Sequence, residues 1–352
     1  MKFSLNLLTD RPAPELDRCW ALCDEAGIDY VGVADSPMLV PELIVTATRA
    51  AARLGRSGVM TSVTNSVTRD VSVMASALAS LDAVAPGRIA CAIGTGDSAL
   101  WTTGLRRASP AALERYVVAL RTLLTGGTAE IDGRTITPHW PMTPARVPVL
   151  VTGTGPRALA AGARSADGLL LGTGFSEAAL EMVATTVARE TAAVGRDPRE
   201  VELWWQTTIT FGDTVEDAMA RSLGINTSWL TADGKAGPLV PEHLREKVER
   251  FNGDMEQVGT TYRGVDRGRA LVARADEMGL LDWLRSCAPG LWGPPEVIAA
   301  KLVEHAGRGR VNWQFYVAGD QGDRVAFTER FTGEVMPALA RSTAQRETGV
   351  IS

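Results

Sequence analysis

The residues of this chain with chemical reach cluster in short runs of glycine, threonine, serine and asparagine. Thr152-Gly153-Thr154-Gly155-Pro156 stands just ahead of an amphipathic stretch, and Gly172-Thr173-Gly174 stands ahead of the next one. Glycine lets a ligand approach the backbone, proline favours the first helical position, and a helix N-terminus attracts anions. The two runs together are a candidate grip on one phosphate from two sides. Each alone also reads as a plain tight turn. Thr61-Ser62-Val63-Thr64-Asn65 and Gly94-Thr95-Gly96-Asp97 repeat the pattern. Backbone N–H groups and hydroxyls suit a phosphate and a polar ring system better than they suit hydrolysis.

Acids and bases are sparse at the same places. Asp35 and Asp97 are the carboxylates expected at strand ends. No serine stands in a G-x-S-x-G elbow. His139, His243 and His305 are scattered, with no HxxxH or HxH pattern. His305 falls near a helix end, where a cation offsets the dipole. His243 falls in an inserted segment, and His139 on the stability side of the fold. The four cysteines, Cys19, Cys23, Cys91 and Cys287, are too few and too isolated for a zinc cage. They read as free thiols packed like small apolar residues. No metal site is expected.

The elements that position these runs follow from hydrophobic periodicity. Strands are predicted at Phe3–Leu8, Asp29–Ala34, Ser57–Val63, Arg88–Ile93, Val147–Val151, Asp167–Leu171, Val201–Phe211 and Val311–Val317. Helices fall between them; Ala13–Ala26, for example, carries Leu16, Trp20 and Cys23 on one face and stops at Gly27. A hairpin over Ala129–Thr137 turns at Asp132-Gly133. Eight near-continuous apolar strands, each followed by helix, predict a (β/α)8 TIM barrel over 1–352. A doubly wound sheet usually carries GxGxxG at its first βα turn, and nothing like it follows Leu8.

Barrel active sites lie at the strand C-termini. The candidates therefore also include Asn6 and Leu8, Ser36, Gln206 and Thr208, and Gln314 to Ala318. Residues 224–293 break the alternation before strand eight. They hold Asn226-Thr227-Ser228-Trp229, a turn-rich stretch Ala232–Pro238, and a charged piece around Glu242–Arg250. The expected role is a helical lid, with an oligomer contact as the alternative.

Composition bounds the partners. At 352 residues with 45% apolar and 22% charged side chains, the chain has a normal globular balance. A net charge of −5 leaves no basic footprint for nucleic acid. No apolar run reaches the ~18 residues of a membrane span. The first residues enter a strand-like segment without a signal-peptide pattern, so the expected address is the cytoplasm.

The run Thr61-Ser62-Val63-Thr64-Asn65-Ser66-Val67-Thr68-Arg69 resembles the third-strand signature of luciferase-like flavin and F420 oxidoreductases, nearest the methylenetetrahydromethanopterin reductase-like branch. Ala75 to Asp82, Gly87-Arg88, Ile93 to Ala99, Gly153 to Pro156, Ala166-Asp167-Gly168 and Gly293-Pro294-Pro295-Glu296 continue it in order. The resemblance covers roughly residues 1–345 and is weakest across 224–290.

It implies a bacterial-luciferase-like barrel binding reduced FMN or coenzyme F420 at the strand C-termini. Ser62–Val63 would be a non-prolyl cis peptide behind the ring, with Val63 and Asn65 in contact with it. Gly153, Thr154, Gly155, Gly172, Thr173 and Gly174 would hold the phosphate. Gly94, Thr95 and Asp97 would line the pocket. Where many members carry a histidine, this chain has Asp35-Ser36-Pro37, so Asp35 is the stand-in. The expected activity is hydride transfer with F420 on a small organic substrate. The alternatives are a reduced-FMN monooxygenase served by a separate flavin reductase, a cofactor-free barrel protein, and a barrel hydrolase. A homodimer is expected from the family.

Overall fold

The structure is a computed structural model. It describes residues 1–139, 145–227, 230–232, 235–237, 239–257, 265–287, 290–308, 311–317 and 323–347. Of the residues named above, Ser228, Trp229, Asp233, Gly234, Pro238 and Ala318 lie outside these. The chain forms two compact units, one of residues 2–171 and 183–204, the other of residues 1, 172–182 and 205–352.

The first unit carries β1 (Phe3–Asn6), β2 (Tyr30–Val33), β3 (Gly58–Asn65), β4 (Ile89–Gly94), the hairpin β5 (Ala129–Ile131) and β6 (Arg134–Ile136), β7 (Val149–Gly153) and β8 (Gly168–Leu171). β1, β2, β3, β4, β7 and β8 pair in that order, each ladder parallel. Every residue of β1, β4 and β8 is buried; β4 and β8 read accordingly as near-continuous apolar runs, whereas β1 buries Ser4 and Asn6 between Phe3 and Leu5 and at its end. Met60, Ala90, Ala92, Leu150, Leu170 and Trp204 form one core cluster, with Tyr30 and Val63 packed on it. The alanines on β4 leave room for the Trp204 indole.

The helices of this unit carry their own boundary signals. Ala13–Glu25 buries Leu16, Cys19, Trp20 and Cys23 at helical spacing. Leu43–Arg53, Val71–Val84 and Pro110–Leu124 start where Glu42, Asp70 and Ser109 accept a backbone N–H of the first turn. The hairpin turns at Asp132 and Gly133, both at positive φ. The first strand is shorter than predicted. Asn6 Oδ1 accepts the Leu8 N–H at 3.1 Å and Leu8 sits at φ 52, so a side-chain turn ends the strand before Leu8.

The second unit carries β9 (Glu202–Phe211) from Trp205 onward, β10 (Thr231–Ala232), β11 (Lys235–Ala236), β12 (Gly290–Gly293) and β13 (Asn312–Tyr316). The expected helical insertion is there, as Arg245–Gln257, Val265–Glu277 and Leu281–Ser286. They pack on Val215–Thr227 around Met219, Leu223, Val248, Phe251 and Leu284. A Cβ at Gly268 would fall 1.5 Å from the Ala220 carbonyl oxygen, so two of these helices meet backbone to backbone. The last four residues assigned to the insertion are instead β12, parallel to β9 with Gly290 opposite Thr208. Four residues between glycines carry too little periodicity to announce a strand; the ladder partner defines it.

One sheet orders these strands β12-β9-β13-β1-β2-β3-β4-β7-β8, with β9 also pairing β8. β12 is a ninth strand added beside β9; the other eight are those of a (β/α)8 barrel.

Candidate active site

The site is built on the ends of β1, β2, β3, β4 and β7, all within the first unit. β3 is its centre. Its register with β4 shifts between Thr61 and Thr64, and Ser62–Val63 is a non-prolyl cis peptide. The Thr61 hydroxyl donates to the Ala92 carbonyl at 2.8 Å, fixing β3 below the shift. From β1, Asn6 Nδ2 donates to Ser62 O at 2.9 Å and to Ser62 Oγ at 2.8 Å.

Asn65 closes the strand. Its Oδ1 accepts the N–H groups of Val67 and Thr68 at 2.9 and 2.8 Å. Its Nδ2 is buried and meets no acceptor, in a residue only 3% exposed. A buried amide donor without a partner is uncommon and asks for a ligand or water. The hydroxyls of Ser66 and Thr68 are likewise buried and unpartnered.

Asp35 follows β2 and is buried. Its Oδ2 accepts from Thr64 Oγ1 at 2.7 Å and from Arg69 Nη1 at 2.5 Å. Arg69 reaches Glu42 with its other nitrogen at 2.6 Å, and its carbonyl accepts the Tyr116 hydroxyl at 3.1 Å. Burial pulls the Arg69 pKa down, but the bonds and charges of Asp35 and Glu42 outweigh it and the net direction is up. Burial pushes Glu42 up; the Val45 N–H and Arg69 outweigh that and hold it below its ordinary range. Burial pushes the Tyr116 hydroxyl well above its usual value and the Cys91 thiol to about 12. Cys91 is therefore no nucleophile here.

The β2 and β4 loops are clasped by Ser36 Oγ to Ser98 Oγ at 2.7 Å and by Thr102 Oγ1 to the Pro37 carbonyl at 2.7 Å. Gly94 ends β4, and a Cβ there would stand 2.7 Å from Thr152 Cγ2 at the end of β7. Thr95 is half-buried behind it, and its carbonyl accepts the Ala108 N–H at 3.0 Å. Asp97 does not join this network. Its side chain is 63% exposed and pairs with Arg107.

The glycine run after β7 behaves as its composition suggests. Gly153 packs so closely on Ala158 that a Cβ would come within 2.5 Å of the alanine Cβ. At Gly155 a Cβ would meet nothing within 4 Å. The helix Pro156–Ser165 starts there with no side-chain cap and no acid in its first turn. Its end is thus open to an anion.

Gly172, Thr173 and Gly174 belong to the second unit. Gly174 is at φ 71, its carbonyl accepts Trp205 Nε1 at 2.9 Å, and a Cβ would lie 2.7 Å from the Cys287 carbonyl oxygen. Gln206 Nε2 donates to Gln314 Oε1 at 2.9 Å in the same unit.

The histidine expectations are corrected in one case. His305 is 1% exposed and packs against Phe175 and Trp313, and burial lowers its pKa to about 4. It is a neutral core residue, not a helix-end cation. His139 and His243 are exposed. Sequence alone gives Arg69 no role. The signal it carries is a cation just past a strand whose neighbour ends in a carboxylate.

Among the described residues, no group of His, Cys, Asp or Glu could hold a metal ion, and no helix is long and apolar enough to cross a membrane.

Known proteins are similar to this chain in sequence or fold. The chain is 24% identical over 208 residues to a 5,10-methylenetetrahydromethanopterin reductase of Methanolobus tindarius, a match over 58% of this chain and 63% of the relative. The coenzyme F420 dependent tetrahydromethanopterin reductase of Methanopyrus kandleri superposes with a TM-score of 0.69 at 18% identity, over 96% of this chain and 99% of that one. An F420-dependent secondary alcohol dehydrogenase in complex with an F420-acetone adduct superposes with a TM-score of 0.67 at 15% identity, over 96% and 98%. These two likenesses carry the fold. The family follows from sequence: the luciferase-like monooxygenase model, whose members are oxidoreductases and monooxygenases, matches residues 1–311, and the chain belongs to that family.

Proposed function

We propose that the chain is an oxidoreductase that binds coenzyme F420 at the ends of its barrel strands and acts on a small organic substrate. The observation that carries the reading is Asn65, a buried amide whose oxygen is committed to the turn and whose nitrogen has no partner. The F420-dependent reductase and the F420-dependent alcohol dehydrogenase that share its fold support the choice of F420.

Asn65 Nδ2 would donate to the cofactor, and Val63 would pack against it. Ser62 holds the backbone on which Val63 sits. Gly94 and Thr95 give the adjoining wall, with Asp97 at its rim. Gly153, Thr154 and Gly155 present backbone donors and an uncapped helix start to the phosphate. Gly172, Thr173 and Gly174 are proposed phosphate contacts on their own account. Asp35, held by Thr64 and Arg69, is the proposed proton acceptor for the substrate. Bound F420 supplies hydride exchange with the substrate carbon; the protein supplies placement and electrostatics.

A reduced-FMN monooxygenase is the second reading, favoured by the name of the family. It would need a separate flavin reductase as partner. Pairing with a second copy of the chain and a cytoplasmic address complete the proposal.

Fluorescence titration with F420, and anaerobically with reduced FMN, tests the reading. Binding of F420 alone supports hydride transfer. Preference for reduced FMN replaces it with the monooxygenase, to be followed by oxygen consumption. Binding of neither removes both.

A further inference from the structure

We infer that Asn6 is the positioning residue of this site: its amide fixes Ser62, and through Ser62 the segment Ser62–Asn65 that faces the cofactor. The inference rests on the cofactor reading above. It concerns a residue whose side chain is committed to Ser62 and Leu8.

Asn6 is fully buried at the end of β1. Its side chain is used almost completely. Nδ2 donates to both Ser62 O and Ser62 Oγ, and Oδ1 accepts from Leu8 N. The two bonds to Ser62 come from a strand that is not its neighbour, because β2 lies between β1 and β3. The bridge crosses β2 at Gly32. A Cβ on Gly32 would stand 2.8 Å from Asn6 Cβ and 3.0 Å from Ser62 Cβ. Glycine is therefore what lets the asparagine reach across.

The bonds land where they are needed. β3 follows β4 in register up to Thr61 and again from Thr64, so the ladder does not hold the residues between. Ser62 is the first residue of that gap, and Asn6 supplies the anchor the ladder omits. Downstream, Thr64 bonds Asp35 and Asn65 carries the free donor. Loosening Ser62 would let both shift.

The test compares Asn6→Asp, Asn6→Ala and Ser62→Ala with Ser57→Ala. Ser57 Oγ donates to the Ile28 carbonyl at 2.6 Å, a buried bond just ahead of β3. Ser57→Ala therefore costs stability without touching the gap. Two readouts are taken: amide hydrogen exchange of residues 61–65 in the cofactor-free protein, and the F420 dissociation constant.

Asn6→Asp removes the donors at nearly constant shape. It should speed exchange at 61–65 by about tenfold or more and weaken F420 binding by a similar factor, ~1.4 kcal/mol. Ser62→Ala keeps the bond to Ser62 O and should show a smaller effect. Ser57→Ala should leave both readouts within about twofold of wild type, the ~0.4 kcal/mol expected of a distant site. Unchanged exchange at 61–65 in Asn6→Asp overturns the inference. So does F420 affinity that falls equally in Ser57→Ala, since that is general destabilisation. If wild type binds no F420 while Asn6→Asp still loosens 61–65, the cofactor reading fails and the anchoring stands. If Asn6→Ala does not fold, Asn6→Asp and Ser62→Ala still decide the matter.

Discussion

The Arg69 guanidinium lies 2.5 Å from Asp35 Oδ2 and joins the loop after β3 to the end of β2. Both side chains are largely buried, at 14% and 2% exposed. Removing one partner of such a pair strands the other charge. Arg69→Met should cost about 3–5 kcal/mol of stability in urea unfolding. Asp35→Asn combined with Arg69→Met should recover part of that loss, because the two residues share one network. A cost of Arg69→Met below about 1 kcal/mol would mark the pair as solvent-screened.

Gly155 offers a test of the phosphate assignment that packing does not confound. A Cβ there meets nothing within 4 Å, so Gly155→Glu should fold with an unchanged far-UV spectrum. Like charges ~4 Å apart at an effective dielectric near ~20 repel by about 4 kcal/mol. Cofactor affinity should therefore fall about 100-fold or more in titration. Intact binding would move the phosphate away from this loop.

His305 sets a pH dependence. Its folded pKa is lowered from 6.5 to about 4 by burial, so protonation favours the unfolded chain. The stability this gives is complete above pH ~6.5 and is lost as pH falls from there toward ~4. The size is about 3 kcal/mol. Between pH 7.5 and pH 4.5 the urea midpoint of wild type should fall further than that of His305→Phe, which has no imidazole to protonate. Parallel curves would show that another group carries the acid loss.

The helices Leu43–Arg53 and Val71–Val84 pack on each other and expose apolar residues. Val45 is 70% exposed, Val73 56% and Val84 45%, and Val71–Val84 turns Ser76, Ser80 and Ala83 outward with no charged residue among them. A surface helix of a monomer usually carries charge there. A second copy of the chain is the proposed cover. Val73→Glu should then shift the mass in sedimentation from dimer to monomer. A monomeric wild type would dismiss the proposal.

Much of the site is legible in the sequence because its chemistry is local. Gly153 announces the close approach it makes to Ala158, and the Thr61–Arg69 run resembles a known signature. His305 reads wrongly from sequence because its helix position is visible there and its burial is not. The Phe175 ring that packs on it comes from a distant part of the chain, and Trp313 from the following strand. β12 escapes notice because Leu291 and Trp292 between two glycines look like any short apolar patch until β9 pairs with them.

By itself the sequence determined the alternation of strand and helix, and hence the barrel. Near-continuous apolar runs and period-3.6 burial patterns are written into neighbouring residues. It also determined which loops carry glycine, hydroxyl and amide groups. Only the tertiary structure decided what those groups do. Asn6 and Ser62 are far apart in the chain, and their hydrogen bonds exist because β2 holds β1 and β3 at a fixed spacing with a glycine between them. Likewise, that Asn65 keeps a free donor, and that Asp35 does not stand alone, depends on where Arg69, Thr64 and the β3 turn come to rest. Hydrogen-bond satisfaction is a property of the packed fold, and periodicity carries no record of it.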